Sequence, residues 1–189
     1  MRYKLTDKIY LFVYGTLLSN ESNYHRLGRE AILISQATIR AKMFTLNNCF
    51  PYIRFSNSSK DKVYGQLFQI PYHQLINSVD QLEGYKPNHK SCLYFRKKTT
   101  VTITSTNTKQ QAFVYVAGSF FHNSTKSATI TSGNWKQFKL ETLTKNTEHW
   151  HTNHIDQIRS LLPTEQEVLK LKERVPETVT HLFNLDNGD

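Results

Sequence analysis

YLFVYGTLL, residues Tyr10–Leu18, carries a hydrophobic strand straight into a glycine-containing turn. Ile9, Tyr10, Leu11, Phe12 and Val13 form an apolar, partly β-branched and aromatic run, the composition of a strand buried on both faces. Tyr14-Gly15-Thr16-Leu17 then breaks it. A glycine at that point permits a backbone conformation other residues resist, and lets a ligand approach the main chain closely. The Thr16 hydroxyl and the N–H groups after Gly15 together suit an anion or a carbonyl oxygen. An isolated YGT is equally the mark of an ordinary strand-ending turn, so the rest of the chain has to decide.

The 189 residues suffice for one domain with a proper core and an appendage. Aromatic residues are plentiful and glycine and proline sparse, as in a globular protein. No apolar stretch approaches the roughly 20 residues that a bilayer-spanning helix needs. MRYKLTDK places basic residues before an apolar run, but that run is short and no small-residue cleavage pattern follows it. Cys49 and Cys92 match no disulfide framework or metal spacing, and free thiols in a reducing, cytoplasmic setting are the expectation.

The net charge of +9 is unevenly spread. Segment 84–140 holds nine basic side chains and no carboxylate, whereas 141–189 is acidic on balance. An acid-free stretch suits nucleic acid, an acidic partner or small anions. Its lysines and arginines lie singly or in one short cluster, outside any established nucleic-acid motif. It therefore reads as a solvated face.

Beyond the opening turn, Asn20 or Ser22 is placed to cap a short helical turn within Ser19–Arg29. Ala31–Ile39 and Ala41–Leu46 are β-prone. Asn47-Asn48 followed by Phe50-Pro51-Tyr52 reads as a turn or irregular loop. Lys62–Ile70 alternates as a strand, with Gly65 marking a bulge or a close backbone approach. Leu75, Ile76, Val79 and Leu82 recur at helical spacing, which predicts an amphipathic helix over His73–Leu82, with Pro71 at its start and Gly84 past its end. Glu83 then sits at the last turn, where the helix dipole disfavours a carboxylate. With Tyr85 and apolar neighbours alongside, its pKa should rise, making it a candidate acid or base. The bland alternative is a solvated glutamate opening a loop. Tyr94–Ser105 and Ala112–Ala117 read as paired strands joined through Asn107–Gln111. A turn at Thr131–Trp135 leads into a helix from Trp135 to Thr142.

The tail differs in character. His149, His151 and His154 cluster in EHWHTNH, but the spacing matches no zinc motif, and no metal is assigned. Ile155, Ile158, Leu161 and Leu162 suggest one helix, and Thr164 with Glu167 forms a capping box opening a second. The expected division is a domain over 1–144 and a helical extension over 145–189, packing on that domain or on a partner.

Several segments taken together resemble one family. FVYGTL at 12–17, NYH at 23–25, FPY at 50–52, VYGQLFQI at 63–70, VDQLEGY at 79–85, YFRK at 94–97, AFVYV at 112–116 and SGNW at 132–135 follow the order and approximate spacing of the γ-glutamylcyclotransferase-like (AIG2-like or YtfP-like) superfamily. The resemblance covers roughly residues 8–142. It implies an α+β fold, a small mixed β-barrel with flanking helices, here followed by the C-terminal helical extension. It also implies that Tyr14, Gly15, Thr16 and Leu17 bind a γ-glutamyl group and that Glu83 is the catalytic acid/base. Leu18 stands where many members have arginine, and Asn20 where they have glycine. The implied reaction is release of 5-oxoproline and a free amine from a small-molecule γ-glutamyl substrate, with no cofactor. The alternative is a non-catalytic small-molecule or protein binding module on the same fold. Neither nucleic acid nor membrane is an expected partner, and the sequence leaves the oligomeric state open.

Overall fold

The computed structural model describes residues 3–46, 48–123 and 127–153. Eight strands run in chain order: β1 (Lys8–Val13), β2 (Ile32–Ile39), β3 (Ala41–Leu46), β4 (Phe50–Phe55), β5 (Val63–Pro71), β6 (Tyr94–Ile103), β7 (Lys109–Ala117) and β8 (Ser127–Ile130). Five of them close a barrel in the order β1-β5-β2-β6-β7, and β4-β3-β8 form a separate three-stranded sheet. The barrel is mixed: β1 runs parallel to β7, and its other pairings are antiparallel. The chain divides into two units, Met1–Glu141 and Thr142–Asp189. Among the described residues no helix is long and apolar enough to cross a membrane.

β1 lies between β5 and β7, and Leu11, Phe12 and Val13 are buried on both of its faces, as their composition requires. Gly65 sits opposite Ala37 in β2 and presses on the end of β1. A Cβ there would lie 2.1 Å from the Val13 carbonyl oxygen, so the expected close backbone approach is its role.

Three local expectations are corrected. Residues 50–55 form a strand rather than an irregular loop, paired with β3 from Ala41↔Phe55 to Leu46↔Phe50. Pro51 argued against a strand, but β4 is at the edge of its sheet, where a missing N–H costs no ladder bond. The helical turn after the motif is a 3-10 turn at Tyr24–Leu27 that follows Asn23, with no side-chain cap from Asn20 or Ser22. Asn20 instead takes φ 68°, a left-handed conformation that explains why glycine suits this position.

The third correction concerns the helix over 72–82. Tyr72–Gln74 and Asp80–Leu82 are α-helical, but Leu75–Val79 between them is a π-helical turn, closed by the Asp80 N–H donating to the Leu75 carbonyl. The wider turn swings the fifth residue back toward the face of the first. Leu75, Val79 and Asp80 are accordingly all buried. The final helix runs Trp135–Asn153, longer than the expected end at Thr142. The helices expected from Ile155 onward, the capping box of Thr164 and Glu167, and His154 lie outside the described residues, as do the side chains of His149 and His151.

Candidate active site

A cleft opens where the end of β1, β4, the end of the 72–82 helix, β6 and β7 converge. Phe12, Val13, Tyr14, Gly15, Thr16, Leu17, Phe50, Pro51, Glu83, Tyr94 and Tyr115 line it. Tyr14, Gly15, Thr16, Leu17 and Glu83, all singled out from the sequence, therefore share one cavity. Its free volume is about 40 Å³. One water needs at least about 10–15 Å³ measured this way, so the cleft floor fits a group the size of a carboxyl or an ammonium.

One wall is the turn after β1. The Leu18 N–H closes it onto the Gly15 carbonyl at 3.0 Å, and the Asn23 N–H donates to the Thr16 carbonyl at 2.9 Å. The Thr16 hydroxyl accepts from Asn23 Nδ2 at 3.1 Å, so that side chain already has a partner. The N–H groups of Gly15, Thr16 and Leu17 donate to nothing among the described residues. Three successive N–H groups left unspent beside a cavity are a concave donor site for an oxyanion or carboxylate. Gly15 is required for a different reason from the one first expected. Its φ is not in the left-handed region; instead a Cβ would stand 2.6 Å from Cγ of Pro51 across the cleft. Leu17 and Leu18 are both buried; Leu17 lines the cleft, and Leu18, at the position where the resemblance leads one to expect arginine, packs in the core.

Glu83 forms the opposite wall. It is the residue that ends the helix, with φ −80° and ψ −2°, and Gly84 beyond it adopts φ 60°, which turns the chain away. The Glu83 N–H donates to the Val79 carbonyl at 3.0 Å, and its carbonyl accepts from the Tyr94 N–H at 3.2 Å. The backbone is thus fastened on both sides. The carboxyl makes no hydrogen bond among the described residues. Its pKa is raised from an ordinary 4.5 to about 8, first by burial and then by the charge of Asp80. The direction is the one read from the sequence; burial, expected there from the apolar neighbours, is the first cause, and the charge of Asp80, which was not foreseen, is the second.

Three tyrosines complete the walls, and each hydroxyl is committed. Tyr14 donates to the Tyr115 carbonyl at 2.8 Å, Tyr94 to the Pro51 carbonyl at 2.8 Å, and Tyr115 to Asp80 Oδ1 at 2.6 Å. Burial raises the pKa of all three, so they stay neutral. For Tyr14, burial is the first cause, a negative charge on Glu83 adds to the rise, and a backbone hydrogen bond at Ile53 opposes it. Among the lining residues, Glu83 alone changes protonation near neutral pH.

Tyr94, Tyr115, Phe50 and Pro51 were not singled out as site residues, although FPY, YFRK and AFVYV carry the family resemblance. Their shared feature is that they face one cavity, which no local sequence period reveals. The acid-free segment also acquires internal partners. Arg96 pairs with Asp80 at 2.7 Å, Lys139 with Glu21 at 2.6 Å, and Lys136 donates to the Ser19 carbonyl at 2.8 Å.

Comparison with known proteins agrees with this architecture. The sequence profile of the family described as Gamma-glutamyl cyclotransferase, AIG2-like matches residues 11–137. YkqA of Bacillus subtilis (strain 168) is 28% identical over 140 residues, 72% of this chain and 44% of YkqA. The chain thus spans less than half the length of that relative. The gamma-L-glutamyl-butirosin B gamma-glutamyl cyclotransferase of Niallia circulans is 26% identical over 133 residues, 69% of this chain and 78% of that enzyme. The crystal structure of YkqA superposes with a TM-score of 0.56 at 24% identity, over 74% of this chain and 44% of YkqA, which shows a shared fold. On the match over 11–137, this chain belongs to the AIG2-like gamma-glutamyl cyclotransferase family.

Proposed function

We propose that the protein cyclises a γ-glutamyl substrate, releasing 5-oxoproline and the amine that had been acylated, with Glu83 as acid/base. The observation that carries this reading is a carboxyl without a hydrogen-bond partner, with a pKa near 8, in the same cleft as the unspent N–H groups of Gly15, Thr16 and Leu17.

The chemistry needs little else. The substrate α-amine attacks its own γ-carbonyl carbon, a C–N bond forms to close the ring, and the bond to the departing amine breaks. The attacking amine must shed a proton, since a free α-amine has a pKa of about 8. The departing nitrogen must gain one. Glu83 serves both transfers: it takes the proton from the ammonium and returns it to the leaving nitrogen, as befits a group poised near the working pH. The N–H groups of the turn hold the substrate carboxylate or the oxyanion of the tetrahedral intermediate. Because the attack is intramolecular, folding the substrate into a reactive shape inside a tight cleft supplies much of the acceleration. The name of the Niallia circulans relative, a gamma-L-glutamyl-butirosin B gamma-glutamyl cyclotransferase, supports the same substrate class.

The test is a screen of γ-glutamyl amino acids, γ-glutamyl-ε-lysine and glutathione, each with and without an N-acetyl block on the α-amine. 5-Oxoproline should appear from at least one free-amine substrate and from none of the blocked ones. Release of glutamate instead, or silence across the panel, would remove the proposal.

A further inference from the structure

Asp80 lies one helical turn before Glu83, yet it does not line the cleft. Its side chain is 7% exposed and that of Arg96 is 10% exposed. Both of its oxygens are taken: Oδ1 by the Tyr115 hydroxyl at 2.6 Å and Oδ2 by Arg96 at 2.7 Å. Arg96 and Tyr115 are cross-strand partners in the β6–β7 ladder, so a single rung of the barrel grips the carboxylate from two strands. Arg96 is itself set among aromatic rings, 4.9 Å from the centroid of Tyr85, 5.3 Å from Phe113 and 5.9 Å from Tyr72. The Tyr115 carbonyl holds the Tyr14 hydroxyl, and the Asp80 carbonyl accepts from the Tyr85 N–H at 2.9 Å, just past Glu83. The clamp therefore touches both walls of the cleft. The π-helical turn is what brings Asp80 inward to meet it.

We propose that Asp80, gripped by Arg96 and Tyr115, is a positioning residue for the cyclisation: it fixes the helix end that carries Glu83 and sets a negative charge near the Glu83 carboxyl. This rests on the acid/base reading of Glu83. The groups facing Glu83 are Asp80 from its own helix, Tyr94 from β6, Tyr115 from β7 and Tyr14 from the turn after β1. The tyrosines are neutral. Burial, the largest effect, raises the Asp80 pKa, and the bonds from Tyr115 and Arg96 oppose that rise and favour the carboxylate. Its charge raises the proton affinity of Glu83, so that the carboxylate can take the proton of the substrate ammonium and then pass it to the leaving amine. A carboxylate serving only to pin the helix to the barrel would stabilise the fold without altering the titration of Glu83.

The two roles separate in a carboxyl NMR titration of the full chain labelled with ¹³C-glutamate, the Glu83 signal being identified by its loss in Glu83→Gln. Asp80→Asn should lower the Glu83 midpoint by about one pH unit. The ascending limb of kcat/KM should move to lower pH by the same amount, while the descending limb, set by the substrate amine, stays. Asp80→Asn/Arg96→Gln removes both charges of the buried pair together, so that no cation is left unpaired, and should give the same shift. Asp80→Glu keeps the charge and should keep the midpoint. An unchanged Glu83 midpoint in either neutral variant overturns the proposal. So does failure of both neutral variants to fold while Asp80→Glu folds, because the pair would then be a structural pin. The titration needs no turnover, so a protein that releases no 5-oxoproline would sink the cyclisation reading while the charge coupling is still measured.

Discussion

Replacing Glu83 by glutamine should make the protein more stable, and increasingly so as the pH rises. In the unfolded chain Glu83 loses its proton at about 4.5, whereas in the cleft it keeps it to about 8. Between those values folding must take up a proton, so this residue costs stability progressively as pH rises through the window and the full cost is reached above pH 8. At about 1.4 kcal/mol for each tenfold change, the ceiling is about 5 kcal/mol at pH 9, falling to about 3 kcal/mol at pH 7 and to nothing at pH 4. Glutamine keeps the shape and never ionises, so it escapes the cost. Glu83 as a whole is only partly buried, which makes these values upper limits. Thermal melts of both proteins at pH 4, 7 and 9 read the effect. About 2–4 °C per kcal/mol for a chain of this size puts the gap at no more than about 10–20 °C at pH 9. A gap independent of pH, or a variant less stable than the wild type at pH 9, would refute the burial of this carboxyl.

Two further substitutions probe the walls of the cleft. In Gly15→Ala the new Cβ would meet the Pro51 ring at 2.6 Å, so the cleft must deform; 5-oxoproline release should fall at least tenfold for a stability cost of about 1–3 kcal/mol. Thr16→Ala loses only the Asn23 contact, about 1 kcal/mol, and should retain activity within a few-fold; equal losses for the two variants would contradict the assignment of binding to the backbone. Gly65→Ala drives a Cβ to 2.1 Å from the Val13 carbonyl and should destabilise by more than about 4 kcal/mol in a urea melt, whereas a near-neutral result would mean that β1 and β5 are not packed as described.

The barrel was legible because its strands announce themselves. The run 9–13 reads as buried on both faces from its own composition, and Tyr94–Ser105 with Ala112–Ala117 reads as a strand pair, although β7 starts at Lys109, inside the expected turn over Asn107–Gln111. The motif turn and Glu83 were legible through the order of the family segments. What escaped had physical causes. Pro51 disguised β4, because local reasoning cannot tell an edge strand from a central one. β8, with only SATI to show for itself, is a strand by virtue of its partner β3. The π-helical turn at Leu75–Val79 looks like ordinary helical periodicity until its hydrogen bonds are known. Tyr94 and Tyr115 belong to the cleft only because the barrel closes, and the raised pKa of Glu83 depends on enclosure by residues as distant in the chain as Phe12 and Tyr115.

The central claim is that Glu83 moves the proton in a cleft whose other wall grips the substrate. It is tested most directly by single-turnover release of 5-oxoproline from a γ-glutamyl amine by wild-type protein and Glu83→Gln, with substrate binding measured alongside. A positioned general acid/base contributes about 10²–10⁴-fold, so the variant should bind comparably and react at least a hundredfold more slowly. Release by Glu83→Gln at the wild-type rate would contradict the account.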